Sequence, residues 1–200
     1  MKLGIFGGTF NPIHNGHIGI ALKIYELLSL DRVLFMPNKI PPHKDMKNIL
    51  DEEVRIDMIN IAIDRYDFFG IENYEIKKDG ISYTYESLEY LDRIYKGDEL
   101  FFIIGSDSFI NFDKWQKINR IFRSANLVVY LRDHSHKDLI IDIKKRYEKI
   151  YKGSIFLCFD DIICISSTVV REKILRGENF KNLVPESLYQ YIVSKNLYVR

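Results

Sequence analysis

The chain has 200 residues, a 46% hydrophobic fraction and a formal net charge of +1. That length supports one hydrophobic core, or one core with a modest appendage. A charge so near zero excludes a whole-molecule field that would draw the chain to nucleic acid or to a membrane surface, so any basic site must be local. No apolar run reaches the roughly 18 residues needed to span a bilayer. The N-terminal residues read straight into a strand, without the apolar core of a signal peptide. Cys158 and Cys164 are the only cysteines, in or beside apolar runs and without metal-pair spacing. They read as buried free thiols, which suits a reducing compartment. A cytoplasmic protein is the expectation.

Strand-like runs alternate with helical patterns along the whole chain. Lys2–Phe6 reads as the first strand and Gly16–Ser29 as a helix. Arg32–Met36 is a second strand, stopped by Pro37, and Pro41-Pro42 forbid helix in the loop 38–48. Asp51–Asp64 reads as a helix with acidic residues at its positive end. Ile71–Ile76 is expected to be a strand, and Thr84–Tyr95 a helix stopped by Gly97. Leu100–Ile104 and Asn126–Leu131 are continuous apolar strands of the kind buried on both faces. Lys137–Tyr151 reads as helix, Ile155–Phe159 and Ile162–Ile165 as strands, and Val169–Arg176 as a helix closed by Gly177. Pro185 opens a last helix that runs to about Lys195. Repeated strand–helix–strand units predict an α/β fold, a Rossmann-like doubly wound parallel sheet with helices on both faces. With no linker or repeat, residues 1–200 read as a single domain. Ligands of such sheets sit at the carboxyl ends of the strands, near the switch in strand order. That places together the loops after the first strand, after Met36 and before Val169.

The first of these loops carries the strongest signal, Gly7–His17, GGTFNPIHNGH. Two glycines let backbone approach an anion, and the helix that follows turns its free N–H groups toward it. His14 and His17 stand three residues apart at that helix start, so both can face one ligand. Three readings compete: a tight turn with two structural histidines, a metal site, and phosphoryl or nucleotidyl transfer. A catalytic zinc needs a third ligand, for which only His43, His134 and His136 are on offer. Transfer chemistry accounts for glycines, histidines and helix start together. The loop is neither a Walker A sequence nor a GxGxxG fingerprint. Far along the chain, Ser166, Ser167 and Thr168 occupy a strand-to-helix junction, where hydroxyls cap a helix and can donate to phosphate. Arg171 lies one turn on from Ser167, able to present a fork of donors to the same pocket.

Gly7–His17 resembles the HxGH signature of the nucleotidyltransferase superfamily, whose sheet is Rossmann-like. In its full length it resembles the GGTFNPxHxGH form of the nicotinate-mononucleotide adenylyltransferases. Ile165–Arg171, ISSTVVR, resembles their ISSTxIR motif, and Pro41-Pro42-His43-Lys44 their PPHK segment. Gly105–Phe109, GSDSF, with Trp115 six residues further, resembles their GxD…W pattern, and Ser82-Tyr83-Thr84-Tyr85 a further family segment. Ile13 and Val170 are apolar departures at packing positions, and Gln116 and Lys117 replace the aromatic or histidine often found after the tryptophan. The resemblance implies adenylyl transfer from ATP to nicotinate mononucleotide, with Mg²⁺ carried mainly on the ATP phosphates. It implies an ATP side built from Gly7, Gly8, Thr9, Phe10, His14, His17, Gly105, Asp107, Ser166, Ser167, Thr168 and Arg171. The mononucleotide side comprises Asn38, Lys44, Tyr83, Thr84 and Trp115. Of these, His14, His17, Lys44 and Arg171 are expected to act in catalysis, with no metal bound by the protein itself. A flat ring such as Trp115 suits stacking on a cationic pyridinium. The rivals are a related transferase with nicotinamide mononucleotide or phosphopantetheine as acceptor, and a nucleotide-binding module without turnover. Long apolar side chains near the C-terminus serve packing or a homo-oligomer equally well.

Overall fold

The computed structural model describes residues 1–39, 49–78, 80, 82–131, 136–159 and 165–199. Lys44 and its neighbours Pro41, Pro42 and His43 lie outside these residues, as do His134, Cys164 and all of the strand expected at 162–165 except Ile165. The strands are β1 (Lys2–Gly8), β2 (Arg32–Pro37), β3 (Phe69–Ile71), β4 (Glu99–Gly105), β5 (Asn126–Leu131) and β6 (Ile155–Phe159). The helices are α1 (Asn15–Leu28), α2 (Glu52–Ile63), α3 (Tyr74–Lys77), α4 (Thr84–Ile94), α5 (Ser106–Ile110), α6 (Ile118–Ser124), α7 (Lys137–Tyr151), α8 (Ser167–Leu175) and α9 (Glu186–Ser194).

The six strands form one all-parallel sheet in the order β3-β2-β1-β4-β5-β6. Their side chains alternate between two cores, as a period of two demands. Phe6, Val33, Phe35, Phe101, Ile103 and Val128 point to one face, where α1, α2, α8 and α9 cover them. Leu3, Ile5, Leu34, Leu100, Phe102 and Leu127 point to the other, under α4, α6 and α7. Both faces are thus buried, which is why β4 and β5 are apolar throughout rather than alternating. The strand order reverses direction between β1 and β4. There the pairing of β1 with β4 ends at Phe6↔Ile103, whereas β1 continues beside β2 as far as Gly8↔Pro37. The sheet therefore splits at the carboxyl ends of β1 and β4, the crevice in which ligands of this architecture sit.

Ile71–Ile76, expected as a strand, divides in two. β3 pairs with β2 from Val33↔Phe69 to Phe35↔Ile71, and the chain leaves the sheet at Glu72. The Glu72 carboxylate then accepts the Tyr74 N–H at 2.9 Å and starts the short helix α3. The side chain of one residue competes with the ladder here and wins. Two helices, α5 and α6, occupy the stretch 106–124, where no helix was expected.

α3 packs its one buried side chain, Glu75, 6% exposed, against α4. Ser87 of α4 donates from Oγ to Glu75 Oε1 at 2.7 Å, and Ser82 donates to the Glu75 carbonyl at 3.5 Å. Burial pushes the Glu75 carboxyl up from 4.5 to about 7, against the smaller opposing pull of the Ser87 hydrogen bond and the Lys78 charge. Between those two pH values the folded chain holds a proton that the unfolded chain has lost. Stability therefore falls as pH rises from 4.5 through about 7 and is level above. Glu75→Gln keeps the hydrogen bond and removes the titration. Thermal melts from pH 4 to pH 8 should show the variant gaining on the parent across that window, by about 4 °C or more at the alkaline end. A difference in Tm independent of pH would contradict the assignment.

Candidate active site

The loop between β1 and α1 is shaped by its own side chains. Phe10 adopts a left-handed backbone, φ 48°, a conformation that costs a bulky residue on the order of 1–3 kcal/mol. Its ring is 2% exposed and packs edge-on against Phe6 at 5.7 Å, Phe35 at 5.6 Å and His17 at 5.1 Å. That burial offsets the strain and braces His17. Gly8 admits no side chain: a Cβ there would meet the Phe10 ring at 2.8 Å. The Asn11–Pro12 peptide is cis.

His14 and His17 close the start of α1 reciprocally. The His17 N–H donates to His14 Nδ1 and the His14 N–H to His17 Nδ1, each at 3.3 Å. The two rings stack with centroids 3.7 Å apart. An imidazole whose Nδ1 accepts a backbone N–H carries its neutral-state proton on Nε2. Each neutral imidazole thus has its donor at Nε2, and both rings stand at the positive end of a helix with no acidic residue in its first turn.

α8 is fastened to this loop from the far end of the chain. Ser166 caps it, accepting the Val169 N–H at 3.2 Å. Ser167 Oγ donates to the Pro12 carbonyl at 2.9 Å. Arg171 Nη1 donates to the Asn11 carbonyl at 2.7 Å, and Nη2 to Thr168 Oγ1 at 3.3 Å. A guanidinium has five N–H donors, so others remain for an anion.

Across the crevice, β4 ends at Gly105, where a Cβ would stand 3.1 Å from the Tyr130 hydroxyl. Trp115 follows α5 and rests on Phe112 at 4.9 Å and Phe102 at 6.2 Å. Tyr83 and Thr84 form the start of α4, whose first turn has no side-chain cap bond. Asn38, just past β2, has a buried Oδ1 without a partner among the described residues.

One cavity of about 1300 Å³ gathers these parts. Gly7, Gly8, Thr9, Phe10, His14, His17, Ser166, Ser167, Thr168 and Arg171 line one end; Asn38, Tyr83, Thr84, Gly105, Asp107 and Trp115 also line it. Every site residue expected from the sequence is therefore in one wall or another, save Lys44, which lies outside the described residues. Drug-sized ligands occupy roughly 300–1,000 Å³, so this space suits something larger, such as two nucleotides.

Sequence reasoning missed Arg55, which is 1% exposed. Its Nη1 donates to the carbonyls of Thr9 at 2.9 Å and Asn38 at 2.8 Å, and its Nε to that of Leu50 at 3.0 Å. One buried cation thereby ties together the adjacent loops after β1 and β2. Burial pulls its pKa down, opposed by Glu52 and lesser partners, yet a guanidinium remains charged. The signal was present: Arg55, Ile59 and Ala62 share the buried stripe of α2. Glu75, also overlooked, lines the cavity beside Ser82 and Thr84.

Among known proteins, the cytidylyltransferase-like family model matches residues 5–173. A protein of Clostridium perfringens (strain 13 / Type A) named "Probable nicotinate-nucleotide adenylyltransferase" is 44% identical over 199 residues, 100% of this chain and 98% of its own length. One of the same name from Clostridium acetobutylicum is 44% identical over 198 residues, covering 99% of each. The fold is shared with the Plasmodium falciparum nicotinic acid mononucleotide adenylyltransferase complexed with NaAD. The TM-score is 0.81 at 18% identity, over 98% of this chain and 97% of that one. The same enzyme complexed with APC gives 0.78 at 18% identity over 98% and 96%. The chain belongs to the cytidylyltransferase-like family and, within it, to the nicotinate-nucleotide adenylyltransferases.

Proposed function

We propose that this chain, acting as a single domain, transfers the adenylyl group of ATP to the phosphate of nicotinate mononucleotide, giving nicotinate adenine dinucleotide and pyrophosphate. The observation that carries the reading is the shared cavity, with phosphate donors at one end and an aromatic ring with a helix start also in its walls. ATP lies over the first loop, with its triphosphate between α1 and α8. An oxygen of the acceptor phosphate, already ionised near neutral pH, attacks the α-phosphorus in line. The bond to the β-phosphate oxygen breaks, and pyrophosphate takes the electron pair. No general base is required. The obstacle is the approach of two polyanions, so catalysis is positioning and charge neutralisation.

His17 donates from Nε2 to the α-phosphate as charge grows there. His14 holds the β- and γ-phosphate region. Arg171, with Ser167 and Thr168, steadies the departing pyrophosphate, and Lys44 belongs to the same group. The pyridinium stacks on Trp115, and the first amides of α4 at Tyr83 and Thr84 receive the carboxylate. The Asn38 Oδ1 can accept a ribose hydroxyl, while Asp107 orders its loop or meets a second ribose. Glu75, its carboxyl pushed up to about 7, lines this wall and carries less charge there than an ordinary carboxylate would. Among the described residues no three His, Cys, Asp or Glu side chains gather to hold a metal. The Nδ1 atoms of His14 and His17 are taken by backbone N–H groups. Mg²⁺ brought by ATP would be held mainly by phosphate oxygens and water and would supply charge neutralisation there. No helix among the described residues is long and apolar enough to cross a membrane. ATP as substrate and a buried Cys158 outside any disulfide fit a cytoplasmic enzyme.

The deciding assay is pyrophosphate release from Mg·ATP with nicotinate mononucleotide, nicotinamide mononucleotide and phosphopantetheine offered in turn. The nicotinate acceptor should give the highest kcat/KM; preference for another acceptor, or ATP binding without release, overturns the assignment. His17→Ala should lose about a hundredfold or more in kcat with the fold intact by circular dichroism; near-normal turnover would remove it from catalysis. Trp115→Ala should raise KM for the mononucleotide roughly tenfold and leave that for ATP within about twofold. Equal losses on both substrates would argue against stacking.

A further inference from the structure

After α9 the chain folds back across the first loop. Asn196 and Tyr198 take left-handed backbones, φ 50° and 64°, and the Asn196 and Leu197 N–H groups close onto the Val193 and Ile192 carbonyls. Two such residues within three positions make a reversal that few side chains tolerate. What the reversal achieves is a contact 187 residues apart in sequence: the Tyr198 hydroxyl donates to Asn11 Oδ1 at 2.9 Å. The same oxygen accepts the Leu50 N–H at 3.2 Å. Asn11 is 4% exposed, and its main-chain carbonyl is the acceptor of Arg171 Nη1 at 2.7 Å. Burial pushes the Tyr198 phenol well above its ordinary pKa, so it stays a protonated donor.

Asn11 is therefore held by its side chain on one side and holds Arg171 by its carbonyl on the other. A side-chain oxygen tied by two donors leaves the amide little rotational freedom, and with it the neighbouring peptide plane. The carbonyl direction sets where one arm of the guanidinium fork is anchored, and a planar fork anchored at one arm aims its remaining donors. We propose that Tyr198 is a positioning residue for the triphosphate: by fixing Asn11, it sets the direction in which Arg171 presents its guanidinium. This rests on the function proposed above in one respect, that ATP lies against Arg171. The residue touches no substrate, and its effect is confined to the end of the cavity where α8 meets the loop.

Tyr198→Phe removes one oxygen and leaves the ring's packing. ATP affinity measured by calorimetry without acceptor, and KM for ATP, should each weaken roughly fivefold, the scale of one lost hydrogen bond. KM for the mononucleotide should stay within about twofold and Tm within about 4 °C. In an Arg171→Lys background, the same substitution should change ATP affinity less than about twofold, because the group it acts through is gone. Equal weakening toward both substrates overturns the proposal. So does a fall in Tm without a split between them, or an undiminished effect in the Arg171→Lys background. If the parent chain transfers nothing to the mononucleotide, the functional reading fails, while the ATP titration still decides the role of Tyr198.

Discussion

The carbonyls of Asn11 and Pro12 join the first loop of the chain to a helix that begins more than 150 residues later. Carbonyls of that loop are taken by side chains: Thr9 by Arg55, Pro12 by Ser167, and Asn11 by Arg171. Buried carbonyls need donors, and side chains from α2 and α8 supply them. The loop that carries His14 and His17 into the cavity wall is thereby held in place.

Rigidity at the two ends of the cavity has different sources. The phosphate end is cross-braced by stacked aromatic rings and by guanidinium-to-backbone bonds, with Phe10 held in a strained backbone by its own burial. The other end rests on helix packing. Glu75 ties α3 to α4 through Ser87, and Trp115 leans on Phe112 and Phe102 above the sheet. Arg55 ties the loop after β1 to the adjacent loop after β2, since its guanidinium binds carbonyls from both. A buried cation satisfied by three carbonyls is costly to desolvate and specific in geometry, which is why it orders loops rather than adding bulk stability.

Most of the architecture was legible locally. The apolar strands LFFII and NLVVYL announced a sheet buried on both sides, and the alternation of strand and helix announced parallel pairing. Glu72 shows where such reading fails: Ile71, Tyr74 and Ile76 look like strand residues, but a carboxylate capping the next turn drew the chain out of the sheet. The short helices α5 and α6 lack the length over which a helical period becomes visible. In the site, the histidines, glycines and hydroxyls were readable because each motif is contiguous. Arg55, Glu75 and Tyr198 were not singled out, because their roles depend on burial against segments distant in sequence.

The amino-acid order alone determined which groups the site would use: two imidazoles one helical turn apart, a hydroxyl-rich helix start with an arginine on its first turn, and an indole after an acidic loop. Those are properties of spacing along a backbone with a known rise and period. Only the tertiary structure decided that these groups share one cavity, that each imidazole turns its Nδ1 to a backbone N–H, and that Tyr198 and Arg55 hold the loops in place. The reason is that strand order and register bring the segments together. Where β1 and β4 part at the edge of the sheet, residues near positions 10, 115 and 170 become neighbours, a proximity that no local pattern encodes.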